Sequence, residues 1–195
     1  NRGGGTVHPL ETLDRLSGAA RSRGMAAHLD GARAFNAVIA SGVPLARRAR
    51  GFDTVSFCFS KGLGAPVGSV LCGSKAHMSA ARRVRKRLGG GMRQAGILAA
   101  GALHALEHHV DRLAEDHARA RTLASGLRAL GYTVTDPPTN LIFLETPDAP
   151  ALQERLGAQG VLCFATGPGR LRLVTHLDVG DAAITEALGA FAALR

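Results

Sequence analysis

The sequence has no tryptophan, a single tyrosine, and only 4% aromatic residues among its 195 positions. Stacking platforms of the kind that hold single-stranded nucleic acid are therefore scarce. No apolar run is long enough to span a bilayer, which predicts a soluble protein without a membrane partner. Cysteine is also sparse: Cys58, Cys72 and Cys163 are widely spaced, with no CxxC and no Cys/His pair at metal-ligand spacing. An odd count without pattern suits a reducing compartment, so a cytoplasmic location is expected; two of the thiols lie in apolar runs and are expected to be buried in strands. There is no initiator methionine, and the opening NRGGGTVHPLE lacks the charged start and apolar stretch of a signal peptide. The chain begins as if taken from something longer.

What is abundant is arginine. The net charge is +9, and 21 of the 24 basic residues are Arg. Most lie beside Ala, Leu and Glu in helical patterns, as on solvated helix faces. The one tight cluster is Arg82, Arg83, Arg85, Lys86 and Arg87. With so few aromatics, this composition fits a basic site for an anionic small molecule better than a nucleic-acid surface. The 46% hydrophobic content suffices for one sizeable core, or one core and a small satellite domain.

Periodicity and punctuation predict an alternation of helices and strands. Residues 8–23 read as an amphipathic helix, 25–29 as a buried strand and 31–41 as a turn into a short helix. Strands follow at 55–60 and 68–72, then a basic helix over 75–87, a flexible triple-glycine break, and one long helix or two over 92–130. Beyond Gly131 the pattern changes to short strands at 132–135, 141–144, 161–165 and 171–175, with helices over 149–159 and 181–194. Such alternation indicates α/β layers: a parallel sheet with helical crossovers first, a smaller α+β unit second.

Two segments carry chemistry. In Phe57-Cys58-Phe59-Ser60-Lys61-Gly62-Leu63-Gly64-Ala65-Pro66 a lysine follows directly on an apolar strand and precedes a glycine-rich turn. Ligands bind at the carboxyl ends of strands in open α/β sheets. A lysine desolvated there would drop from its usual pKa of about 10.4 and present a free amine, as a Schiff-base lysine must. A surface lysine at a strand-to-turn junction accounts for this segment equally well. In Met25-Ala26-Ala27-His28-Leu29-Asp30-Gly31-Ala32-Arg33 a carboxylate ends another apolar run. Alone it reads as a helix N-cap. Taken with Lys61 it suggests the division of labour around pyridoxal phosphate (PLP), in which a carboxylate meets the ring nitrogen and a lysine the aldehyde carbon.

HLDGARAFNA, SFCFSKGLGAPVGSVLCGS, RRVRKRLGGGMRQAG and RLRLVTHLDV, in this order and spacing, resemble the L-threonine aldolases of the β-eliminating lyase group, within the aspartate-aminotransferase fold. The resemblance runs from Asn1 to the last helix. It implies an α/β PLP-dependent transferase large domain with a parallel-rich sheet, represented by its C-terminal part over residues 1–110. A small α+β domain over 111–195 would follow. It implies Lys61 as the catalytic Schiff-base lysine and Asp30 as the partner of the pyridine nitrogen. Arg33 and Arg172 would contact the substrate carboxylate, Arg33 beside the cofactor and Arg172 from the small domain. Lys86 and Arg93 would reach the cofactor phosphate of a neighbouring subunit in a homodimer or homotetramer with shared active sites. The implied reaction is cleavage of L-threonine or L-allo-threonine, β-hydroxy-α-amino acids, to glycine and acetaldehyde. A phosphate-binding Gly/Thr turn and a ring stacked on the pyridine would precede Asn1, and the glycine-rich start would be the loop after them. The alternatives are a truncated, inactive remnant of such an enzyme, or a related PLP lyase with another amino-acid substrate. His176 reads as a capping or structural residue. His104, His108, His109 and His117 read as surface or packing residues; His104 and His108 have i, i+4 spacing, but nothing completes a metal set.

Overall fold

The computed structural model describes residues 4–195; the first three residues of the glycine-rich start lie outside them. The chain divides into two compact units, His8–Asp111 and a second that joins residues 4–7 to Arg112–Arg195.

The first unit is built on a three-stranded sheet of order β1 (His28–Asp30), β2 (Thr54–Cys58), β3 (Ser69–Gly73). β1 and β2 are parallel, and α2 (Ala34–Ser41) and α3 (Leu45–Ala49) make the crossover between them; β3 returns antiparallel to β2. The sheet is thus mixed. Alternation along the strands sorts the side chains. Val55 and Phe57 take the apolar face, where the Phe57 ring meets Phe35 of α2 at 5.2 Å and Phe59 at 5.3 Å, both edge-on. His28 and Thr54 lie on the other face, Nδ1 to Oγ1 at 2.8 Å, with Ser56 Oγ 3.3 Å from His28 Nε2.

α1 (Leu10–Arg21) buries Leu13 and Ser17 and exposes its charged face. A bidentate pair, Arg47 to Asp14 at 2.9 and 2.6 Å, ties α1 to α3, and the Arg47 hydrogen bond holds the Asp14 carboxyl below the usual carboxylate range. α4 (Lys75–Arg87) is capped by the Ser74 hydroxyl and has no buried residue. α5 (Gly96–His108) completes the unit.

Three expectations need correction here. Met25 is not in a buried strand: it is exposed, and its N–H bonds to Ala20 in the turn closing α1. The strand begins only at His28, where pairing with Thr54 of β2 starts. Cys72 is exposed rather than buried, since β3 is likewise an edge. Arg48, expected on a solvated face, is buried, and desolvation lowers its pKa.

The second unit is a four-stranded antiparallel sheet of order β4 (Thr133–Val134), β5 (Leu141–Glu145), β7 (Arg170–Val174), β6 (Phe164–Gly167). On one face Ile142, Leu144, Leu171 and Leu173 pack against α6 (Leu113–Ala129), α7 (Ala149–Gly157) and α8 (Asp181–Ala193). α6 and α8 approach so closely at Gly126 that a Cβ there would stand 2.6 Å from the Leu188 methyls. The long helical region resolves into two helices, α5 and α6, with the break at 109–112. A run of buried polar contacts joins the end of β7 to the start of α6. Asn140 Nδ2 donates to the Thr175 carbonyl at 2.8 Å, Thr175 Oγ1 to the Asp116 carbonyl at 2.6 Å, and the fully buried Asp116 carboxylate takes Arg112 at 2.6 Å. A buried carboxylate persists only when paired in this way.

Beside Asp116 lies His117, also buried. Desolvation, its largest influence, lowers the imidazole pKa from 6.5; Asp116 opposes that and Arg121 adds to it. The folded state therefore disfavours the imidazolium, and the unfolded chain binds more protons as pH falls below about 6.5. Stability is expected to be fully present above that value and to decline as pH falls below it, measured as the urea midpoint across pH. His117→Gln should flatten this part of the profile. An unchanged slope in the variant would count against the assignment.

Candidate functional site

The site begins with the pairing of β1 and β2. Because they are parallel, both strands leave the sheet at the same edge, and Asp30 is the last residue of β1, opposite Ser56. The chain turns away through Gly31, whose N–H donates to the Ser56 carbonyl at 2.7 Å. A Cβ at this position would stand 2.9 Å from that oxygen, so glycine is required for the close approach. Asp30 Oδ1 accepts from the Ala32 N–H at 3.1 Å, which fixes the carboxylate and leaves Oδ2 without a partner among the described residues. Arg33 follows at the N-cap of α2, half-buried.

Past β2 the chain forms a closed loop. The N–H groups of Phe59 and Ser60 both donate to the Gly68 carbonyl, at 3.0 and 3.3 Å, and Ala65 N–H donates to Phe59 at 3.1 Å. Lys61 opens the inner turn, its carbonyl accepting from Gly64 N–H at 2.9 Å, with Gly64 at φ +69°. Leu63 and Ala65 point inward and are buried, whereas the Lys61 side chain is exposed. The desolvation expected for this amine is thus not supplied by the described residues: the turn directs its apolar members inward and its lysine outward. The Lys61 amine has no ion pair or hydrogen bond among the described residues.

Asp30 and the Lys61 loop therefore share one edge of the sheet. A free carboxylate oxygen and a free primary amine there suit a group that carries a basic ring nitrogen and a carbonyl carbon. Lys86 and Arg93 are placed differently. Lys86 lies in the last turn of α4, its chain against Gly91, where a Cβ would stand 3.2 Å from Nζ. Arg93 is exposed in the connection to α5. Among the described residues no hydrogen bond or ion pair joins either to Asp30 or Lys61.

Arg172 belongs to the second unit, on the face of β7 opposite the helices, paired with Phe143 of β5 and Phe164 of β6. Its guanidinium carbon lies 5.4 Å from the Phe164 ring centroid, within cation–π range. Its Nε is buried without a hydrogen-bond partner among the described residues, an unusual state that a planar anion would relieve. The neighbouring Arg170 stacks 4.0 Å over Phe143 and lies 3.7 Å from Glu145, an ion pair too long to be a hydrogen bond.

Of the remaining histidines, His176 is structural: its Nδ1 accepts from the Asp178 N–H at 3.3 Å within a turn. The rings of His104 and His108 lie 4.5 Å apart, tilted by 48°, and no cluster of three or more His, Cys, Asp or Glu among the described residues could hold a metal. His109 does more than its sequence context suggests. Its Nδ1 lies 2.6 Å from the carbonyl of Leu63, inside the Lys61 loop. Nothing in the spacing marks this contact, which depends on where α5 ends.

The fold and this arrangement have counterparts. Over 98% of its length the chain superposes on an aspartate aminotransferase from Thermotoga maritima with a TM-score of 0.75 at 21% identity, covering 53% of that chain. Over 96% it superposes on a threonine aldolase from Leishmania major with a TM-score of 0.78 at 20% identity, covering 57% of that chain. The fold is the aspartate-aminotransferase type that the sequence motifs implied. In sequence, the chain is 44% identical over 188 residues to the low specificity L-threonine aldolase of Escherichia coli, with 95% of this chain and 56% of that protein aligned. It is 39% identical over 196 residues to low-specificity L-threonine aldolase 1 of Arabidopsis thaliana, at 96% and 55% coverage. The chain thus spans about half the length of the curated relatives it matches. The family profile for beta-eliminating lyases matches residues 1–149, and the chain belongs to that family.

Proposed function

We propose that the chain carries cofactor- and substrate-holding residues of a PLP-dependent aldehyde-lyase that cleaves L-threonine and L-allo-threonine to glycine and acetaldehyde. The observation that carries this reading is the shared edge of β1 and β2, where Asp30 Oδ2 and the Lys61 amine have no partner among the described residues. The substrate class follows the relatives, which are named as low-specificity L-threonine aldolases.

Each residue has a chemical task. Lys61 would hold the cofactor, its Nζ being the primary amine available to the cofactor's aldehyde carbon. Asp30 accepts a hydrogen bond from the ring nitrogen and keeps it protonated. Pyridoxal phosphate bound there supplies the sink for the electron pair left on Cα as the Cα–Cβ bond breaks. Arg172 takes the substrate carboxylate in its planar fork, and Arg33 assists from beside the cofactor. Fixing the carboxylate orients the bond to be broken, so the arginines contribute by positioning.

Lys86 and Arg93 serve the phosphate of a second subunit. Their surroundings support such a partner: Leu88, Met92 and Ile97 are 82%, 67% and 86% exposed, close together in sequence and interleaved with the basic residues. Large apolar side chains exposed in such a group mark an interaction surface, on which a second copy of the chain would dock beside Lys86 and Arg93.

Four outcomes are expected. Incubation with PLP, borohydride reduction and peptide mapping should place the label on the peptide containing Lys61. Lys61→Ala should abolish both the label and the yellow colour, and a coloured variant would remove the basis of the assignment. Arg172→Ala should raise the KM for threonine by about 10-fold or more while leaving cofactor colour intact, in line with the loss of a charge-assisted bidentate contact; lost colour with unchanged KM would contradict its role. Ile97→Asp should shift the sedimentation coefficient towards the monomer, and an unaltered oligomer would place the subunit contact elsewhere.

A further inference from the structure

The loop that presents Lys61 is closed at its base by backbone hydrogen bonds, but its apex is held from outside. Leu63, two residues beyond Lys61, is only 3% exposed, and its carbonyl takes part in none of the loop's own backbone bonds. A buried carbonyl needs a donor. The donor is His109, at the C-cap of α5, with Nδ1 at 2.6 Å. A carbonyl only accepts, so the imidazole must carry its proton on Nδ1.

The same helix bears on the loop at a second point. A Cβ on Gly101 would stand 3.2 Å from Cδ of Pro66, so the proline ring lies against the helix backbone there. Gly101 and His109 are eight residues apart, about 12 Å along a helix. α5 thus splints the loop along its length, by packing at Pro66 and by one directional bond at Leu63. Among the described residues, His109 is the side chain in this splint that specifies a position by hydrogen bonding.

We infer that His109 is a positioning residue for Lys61: its Nδ1–H holds the Leu63 carbonyl and so fixes the turn from which the amine projects. The inference rests on the reading of Lys61 as the covalent anchor. Without the bond, the Leu63 carbonyl is left buried and unsatisfied, and the Lys61–Gly64 turn relaxes to reach water. The amine is then no longer held at one place on the sheet edge, and the advantage of pre-orientation is lost.

Lys75, exposed at the start of α4, provides an internal control. The full chain and its His109→Leu and His109→Asn variants would be exposed to pyridoxal phosphate for timed intervals, reduced with borohydride and digested, and the label on the Lys61 peptide divided by that on the Lys75 peptide. The wild type should favour Lys61. His109→Leu should lower the ratio by about 10-fold, while His109→Asn, whose amide can donate from a similar place, should stay within about 3-fold. Unfolding would itself erase the preference for Lys61, so the variants are compared at equal folded fraction, measured by circular dichroism at the labelling temperature. A wild-type preference for Lys61 that persists in His109→Leu would overturn the inference and leave the anchor reading intact. No preference for Lys61 in the wild type would overturn the anchor reading, and the inference with it. Should His109→Leu not fold, nitrogen NMR of the wild-type imidazole decides: a neutral ring protonated on Nδ1 supports the bond, and one protonated only on Nε2 overturns it.

Discussion

The parallel pairing of two short strands underlies the rest of the candidate site. Asp30 sits opposite Ser56, and the Gly31 N–H closes on the Ser56 carbonyl at 2.7 Å. Parallel strands need a crossover, here supplied by α2 and α3, and they deliver their carboxyl ends to one edge. The carboxylate and the amine are 31 residues apart in sequence, and this pairing is what brings their strands out side by side. An antiparallel pair would have sent them to opposite ends of the sheet. The absence of a side chain at Gly31 is part of the same constraint, since the approach leaves no space for a Cβ.

Much of this was legible from residue patterns. The basic helix was expected over 75–87, and α4 spans Lys75–Arg87, because Ser74 is a strong cap and the triple glycine a strong stop. Three strands of the second unit and the helices over 149–157 and 181–193 follow equally clear periodicities, whereas the strand expected over 161–165 begins only at Phe164 and runs to Gly167. Asp30 and Lys61 were visible because a charged residue at the end of an apolar run is conspicuous. α3 was not foreseen: five residues after a proline, three of them alanine or leucine and two arginine, carry too little period to distinguish a helix from a loop. Met25 misled for the opposite reason. Its apolar run looks like a strand, yet the backbone there is still closing α1.

The environment of the site was less legible than its residues. Exposure of Lys61 and Cys72 depends on what covers a strand edge, and a sequence pattern records the strand without its neighbours. The task of His109 depends on the point at which α5 stops, and a one-residue change in that boundary would turn the ring elsewhere. The burial of Arg48 and the orphaned Nε of Arg172 likewise arise from tertiary packing. Charged residues that are stranded or sequestered in this way tend to gather where ligands or switches act, but single-chain periodicity assigns them to solvent.

The polar ties at the end of β7 have a consequence for Arg172. Side chains alternate along a strand, so a slip of one residue would carry the arginine into the helix-facing core and turn Leu171 or Leu173 outward. Thr175, anchored to Asn140 on one side and to the Asp116 carbonyl on the other, works as a detent against that slip. The guanidinium keeps its face of the sheet because a hydroxyl three positions away cannot change step.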